Sequence, residues 1–176
     1  MRALISSVLI VCFMLNPRHT TARQAGSAVG DQRELLERLA GHWVARGAIG
    51  KAQTTHDIDA HWVLNKEYLQ IHEISRERDA KGTAQYEAII HVAWNPKLGE
   101  YACLWLDSTD IASFPPEGVG HAPRDGDRIP FVFKDPEGGI RTTFAYDRAN
   151  DRWAWNIDND VKGTLTPFAR LTLTRR

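Results

Sequence analysis

The chain has only two cysteines in 176 residues, Cys12 and Cys103. Cys12 lies in an apolar N-terminal run that reads as an export signal. A mature exported chain would therefore keep Cys103 alone and could form no internal disulfide. The fold must then rest on its core, and a chain of this length can bury one of adequate size. Cys103 sits in an apolar alternating stretch, which suits an inert buried thiol better than a nucleophile. Excess charge is missing too: 22 Lys and Arg face 22 Asp and Glu. A near-neutral chain has no bulk attraction for nucleic acid or anionic membranes, so no nucleic-acid partner is expected. Catalytic signatures are also absent. There is no Gly-x-Ser-x-Gly, no His-Glu-x-x-His and no phosphate-cradling glycine loop. No uncharged apolar run reaches the ~20 residues that span a bilayer as a helix. No internal repeat points to a solenoid.

What is present starts with Arg2 and the uncharged run from Ala3 to Leu15, followed by Asn16, Pro17 and the small residues Thr20-Thr21-Ala22. This is the pattern of a signal peptide over residues 1–22, with an uncleaved anchor as the alternative. Cleavage after Ala22 removes Arg2 and Arg18 and no acid, leaving 20 basic against 22 acidic residues, a net charge of −2. The expected location is periplasmic or secreted, with no membrane span in the mature form. Residues 23–34 read as a tether running into a short helix, with Asp31 as its cap. Leu35, Leu36 and Leu39 share one helical face and Gly41 ends it.

From His42 onward, short alternating segments are separated by turn residues, the pattern of an antiparallel meander. Trp43, Ala45, Gly47 and Ile49 share a side, as do Ile58, Ala60, Trp62 and Leu64. Setting Leu64 against Glu67 or Leu69 brings Leu69, Ile71, Glu73 and Ser75 to the face of Trp62. Setting Trp94 against Tyr101 aligns Val92 with Cys103, Ile90 with Trp105 and Ala88 with Asp107. Residues 109–128 break the pattern with many Pro and Gly and read as a long loop, either a lid or a plain connection, with a short edge strand at 110–114. Beyond it, Ile129, Phe131 and Phe133 face Ile140, Thr142 and Phe144; Phe144 and Tyr146 face Trp155 and Trp153. Phe168 to Thr174 is the last strand. A sheet this wide, apolar on one face, should curl shut. The expected fold is all-β: an antiparallel up-and-down meander closed into an 8–10-stranded barrel over residues 35–176, with a short N-terminal helix.

A barrel of that size has room for a small ligand. The inward residues Trp62, Ile90, Trp94, Trp105, Phe131, Phe133, Phe144, Tyr146 and Trp155 are then candidate ligand-binding walls, or else simply fill the interior. The same registers turn Glu73 and Asp107 inward. Each either orients a polar ligand group, acts as a general acid or base, or sits solvated near the rim. His72 and His91 lie on neighbouring strands on the outer face and lack a third ligand, so no metal site is expected. His56 and His61 face opposite sides of one strand and cannot share an ion. His121 falls in the loop, where it either covers the mouth or has no functional role.

Gly41-x-Trp43 after a short helix resembles the opening of the lipocalins and their calycin relatives, and Tyr146-Asp147 is similar to a second lipocalin block. The runs Leu39–Trp43, His61–Leu64 and Tyr101–Ser108 resemble a lipocalin-like family of small secreted bacterial proteins, known chiefly as a domain of unknown function. The resemblance covers about residues 35–175. It implies a barrel plugged by Trp43, with Arg170 or Arg175 stacked on that indole. The haem-binding nitrobindin barrels are further relatives that use a late His for iron. This chain has no His after His121, so no cofactor is expected. The leading expectation is an exported protein binding a small, largely apolar molecule. The alternatives are an enzyme using the interior carboxylates, or an envelope interaction module with a filled core.

Overall fold

A computed structural model of the protein describes residues 33–109, 118–135 and 138–176. Residues 1–32 lie outside it, so the expected export signal, the expected tether up to residue 32 and the expected Asp31 cap fall beyond the described residues. The helix α1 covers 33–39. Ten antiparallel strands follow: β1 Gly41–Ile49, β2 Ala52–Val63, β3 Tyr68–Ser75, β4 Glu87–Asn95, β5 Glu100–Asp107, β6 Val119–Pro123, β7 Arg128–Asp135, β8 Gly138–Asp147, β9 Arg152–Val161 and β10 Thr164–Arg175. Each strand pairs with its sequence neighbours, and β1 pairs with β10 to close the barrel. Closure removes both sheet edges, which a meander of this width could not otherwise protect. Among the described residues no helix is long and apolar enough to cross a membrane.

The hairpins hold the expected registers. Trp62 opposes Leu69 and Ala60 opposes Ile71. Trp94 opposes Tyr101, and Ile90 opposes Trp105. Ile129, Phe131 and Phe133 oppose Phe144, Thr142 and Ile140. At the β2–β3 reversal Asn65 and Lys66 take φ of 57° and 65°, the left-handed pair that a tight hairpin turn requires. Successive strands are staggered, so directly opposed inward residues climb the barrel. Trp43 faces Ile58, Ile58 faces Glu73, Glu73 faces Ala88, and Ala88 faces Asp107. That row runs from one end of the barrel to the other, the stagger that a closed sheet needs.

The helix end is shut. Leu35, Leu36 and Leu39 are buried and plug the barrel, and Trp43 beneath them has no exposure to solvent. The Trp43 indole N–H donates to Leu39 O at 2.7 Å. The Arg175 guanidinium lies 3.9 Å from the centre of the Trp43 ring. It also donates to Ala40 O and Arg38 O and bonds Asp151. One side chain from the last strand thus caps the helix C-terminus and clamps the first strand. Gly41, at φ +125°, lets the chain leave the helix there; a Cβ on it would stand 2.4 Å from Arg175 Nη1. Arg170, the other arginine considered for this role, points elsewhere. It donates to Ile157 O and Ala169 O and pairs with Asp158.

The 109–128 segment is not all loop. Val119–Pro123 is strand β6, paired along its length with β5 and to β7 through His121 and Val132. Its composition hid it, because Gly and Pro usually end strands. Here Pro123 sits at the strand end and Gly120 serves a packing need: a Cβ at Gly120 would be 2.6 Å from the Phe133 ring. His121 is correspondingly corrected. It stands on the outer face of β6 and bonds Glu100 at 2.9 Å, near the shut end rather than over the mouth. The proposed edge strand at 110–114 lies outside the described residues.

Two outcomes test this packing. Arg175→Ala should lower the unfolding free energy in urea by about 1–3 kcal/mol, with Arg175→Lys recovering only part, because ammonium cannot span two carbonyls and the indole as guanidinium does. Gly120→Val should cost about 1–3 kcal/mol by overpacking against Phe133. Trimming the partner in Gly120→Val/Phe133→Leu should return part of that loss; a strictly additive double variant would refute the contact.

Candidate functional site

The two ends of the barrel interior differ. At the helix end the apolar side chains meet and leave only a small recess of about 110 Å³ beside Arg33, Trp62 and Trp94. At the opposite end the walls stand apart around a cavity of about 600 Å³. Pockets of roughly 300–1,000 Å³ hold small ligands. The apolar wall is made by Trp105, Phe133, Trp155, Ile157 and Leu171, with Phe168 at the rim. Phe168 reaches the rim through a β-bulge, since the β9–β10 register shifts between Pro167 and Ala169. The wall is pinned by ring contacts: Trp105 lies 5.6 Å from Trp155 and 6.1 Å from Phe133 between centroids. The Trp155 indole N–H is satisfied by Thr142 Oγ1 at 2.8 Å.

Opposite this wall lies a buried polar cluster. Glu73 and His56 are 2% and 1% exposed, and their facing atoms, Oε1 and Nδ1, are 2.5 Å apart. The far nitrogen of His56, Nε2, is 2.7 Å from Thr54 Oγ1, and that hydroxyl donates to Glu77 Oε2 at 2.9 Å. The Thr54 proton is thereby committed, so His56 Nε2–H must be the donor to Thr54. Nδ1 and Glu73 Oε1 consequently hold one proton between them. Glu73 Oε2 is buried with no partner among the described residues. Tyr86 flanks the pair, its ring 5.8 Å from that of His56. Its hydroxyl accepts from Trp105 Nε1 at 3.1 Å and donates to Asp107 Oδ2 at 3.4 Å. Asp107 is half-buried at the rim, where Thr109 caps its other oxygen.

Burial pushes the Glu73 carboxyl up from its ordinary range; the bond and charge of His56 oppose this, and Asp107 adds to the rise. Glu73 therefore favours its protonated form more than a free carboxyl does. Burial also raises Tyr86, helped by Glu73 and Asp107, so its phenol stays neutral. Glu77 goes the other way. Burial pushes it up, but bonds from its own backbone, Thr54 and Thr55 outweigh that and hold it below the usual range. Chemically, the cluster offers a carboxyl that lines an apolar chamber, with one buried oxygen unpaired and the other sharing a proton with His56.

Of the residues singled out from sequence, Glu73, Trp105, Asp107, Phe133 and Trp155 line this cavity together. Ile90, Phe131 and Phe144 are buried inside the barrel but do not border it. Trp62 and Trp94 lie around the recess at the other end. Tyr146 packs on Trp153 at 4.9 Å and bonds Asp151, beside the Arg175 clamp. From sequence, His56 was weighed only as a metal ligand, and Tyr86 was not considered. Both could have been found by carrying the strand alternation two residues further, from Ile58 back to His56 and from Ala88 back to Tyr86. His72 and His91 are offset across their strand pair and bond different partners: His72 Nε2 meets Glu87, and His91 Nε2 meets Gln70. Among the described residues no three His, Cys, Asp or Glu side chains gather as metal ligands. Cys103 is buried, and burial raises its thiol far above the ordinary range.

In comparisons with known proteins, no family model matches the chain and no curated protein sequence matches it.

The raised Glu73 has a consequence for stability. Its folded-state value lies above its unfolded one, so the native state binds that proton more tightly. The contribution to stability is complete below the ordinary carboxyl range and is lost as pH rises through the folded value. Glu73→Gln mimics the protonated form and removes this loss. Urea unfolding at about pH 5 and about pH 8 should show a smaller drop in stability with pH for Glu73→Gln than for the native protein; equal drops would refute the assignment.

Proposed function

We propose that this protein is an exported, lipocalin-like binding protein that holds a small, largely apolar molecule in the mouth half of its barrel. The observation that carries the reading is the cavity of about 600 Å³, walled by aromatics and furnished with one buried, unpartnered carboxyl oxygen on Glu73. Apolar walls supply affinity and a few fixed polar groups supply orientation in sites of this kind. The lipocalin-like assignment draws support from the closed barrel, the plugging helix, and the Arg175–Trp43 stack after Gly41-x-Trp43. Export draws support from the uncharged N-terminal run and the small residues at 20–22. Glu73 lines the chamber while its Oε2 is buried without a partner among the described residues; a ligand donor would satisfy it and cover the aromatic wall.

A second reading is favoured by the pairing of His56 with Glu73. A shared proton beside a chamber is what general acid–base chemistry needs, and an enzyme would use it on a bound substrate. In that case Glu73→Gln would keep binding and lose turnover. The filled core expected of an interaction module describes only the helix half.

Native and denaturing mass spectra of the purified protein test the binding reading directly. A reproducible adduct present only in the native spectrum, or saturable binding of an apolar fluorescent dye, is the expected result. Gln53→Trp, which places a bulky ring at the exposed rim, should weaken the dye about tenfold, or about 1.4 kcal/mol. Neither adduct nor dye binding would refute it.

A further inference from the structure

The cavity lacks one sign of charge. Among the described residues no Lys or Arg lines it, whereas Glu73, Glu77 and Asp107 do. His56 is no counterweight: both its ring nitrogens are engaged, and with Glu73 it shares a single proton, so the pair is neutral whichever atom holds it. The other two carboxylates are held by neutral donors. Glu77 takes the Thr54 hydroxyl and the Thr55 N–H; Asp107 takes the Tyr86 hydroxyl and the Thr109 N–H and hydroxyl. On the outer face, by contrast, Asp57, Asp127, Asp158 and Asp160 each sit against an arginine. Even Arg76, adjacent to Glu77 in the chain, turns outward to Asp57. Glu73 adds an independent observation, since its Oε2 is buried at the cavity with no partner. Glu73 and Asp107 both oppose Ala88, from β3 and β5, which sets their backbones two strand spacings, roughly 10 Å, apart.

We infer that the cavity is built for an apolar molecule bearing a protonated amine, with the ammonium donating to Glu73 Oε2 on the side of the chamber that Asp107 faces. This rests on the binding reading above and names its ligand class. An ammonium group brings the hydrogen-bond donors and the positive charge that the chamber lacks. Its apolar body would lie against Trp105, Phe133 and Trp155. A fatty acid, although equally apolar, would bring a further anion among carboxyl groups with no cation to receive it, and would bring no donor for Glu73 Oε2.

Three probes with one alkyl chain separate these terms: decylamine, decanol and decanoate, titrated at neutral pH and below their aggregation limits, read by the fluorescence of Trp105 and Trp155. The expected result is decylamine at least ten times tighter than decanol, with decanoate the weakest. The preference for decylamine over decanol should collapse in Glu73→Gln and shrink in Asp107→Asn. Decanol or decanoate binding as tightly as decylamine to the native protein would overturn the amine assignment and leave the binding reading standing. No response to any of the three, from protein whose circular dichroism shows it folded, would overturn both. The native-protein series decides the matter even if a variant fails to fold.

Discussion

The seam between β1 and β10 carries the rest of the molecule. A meander of ten strands has two open edges, and both are consumed where Trp43 to Ile49 pair with Arg175 back to Ala169. Strand pairing alone would close the sheet without saying what fills it. The Arg175 guanidinium joins three things at once: the Trp43 ring, the carbonyls at the end of α1, and Asp151. The helix is thereby held over one end, and its leucines exclude water from that half of the barrel. The seam is made of residues from opposite ends of the described chain, and the same side chain, Arg175, both joins its strands and holds the plug. Such non-local pairing carries a large loop-closure cost, which the plug and the clamp offset.

With one end sealed, the interior divides by side-chain volume. The helix half holds Trp43, Trp153 and Tyr101 with the leucines of α1, and little space is left. Toward the mouth the inward positions become smaller or polar: Thr54, His56, Ser75, Thr142. The walls there stand back from one another, and Trp105 and Trp155 line the gap instead of filling it. The question of a solid or hollow barrel therefore has two answers in one molecule, each the result of what its strands place inside.

The polar cluster is costly in a place that could have been apolar. Burying Glu73, and committing His56 and Thr54 to a fixed chain of hydrogen bonds, stabilises the barrel less than well-packed leucines would. What the arrangement offers is direction. The chain from Glu77 through Thr54 and His56 leaves Glu73, which lines the chamber, with one oxygen engaged and one buried without a partner among the described residues. Tyr86 and Asp107 continue the polar strip toward the rim, opposite the aromatic wall.

How much of this was legible depends on the range of the interactions. Strand alternation and turn residues are local, and they led to the registers of Trp94 with Tyr101 and of Phe133 with Ile140, because a one-residue slip would turn a whole apolar face to water. They also led to Glu73 and Asp107 pointing inward. Strand β6 was not legible, since Gly120 and Pro123 read as breakers until the Phe133 ring is seen to occupy the space a side chain would need. His56 had an inward signal but was passed over as a histidine without an ion. The amino-acid sequence by itself determined an antiparallel barrel led by a short helix, because alternation and hairpin turns act over a few residues. Only the tertiary structure decided which arginine clamps Trp43, which half of the barrel stays empty, and that His56, Glu73 and Tyr86 meet around that space. These depend on strand stagger and on side-chain volumes summed across strands far apart in the chain, and no local pattern contains that sum.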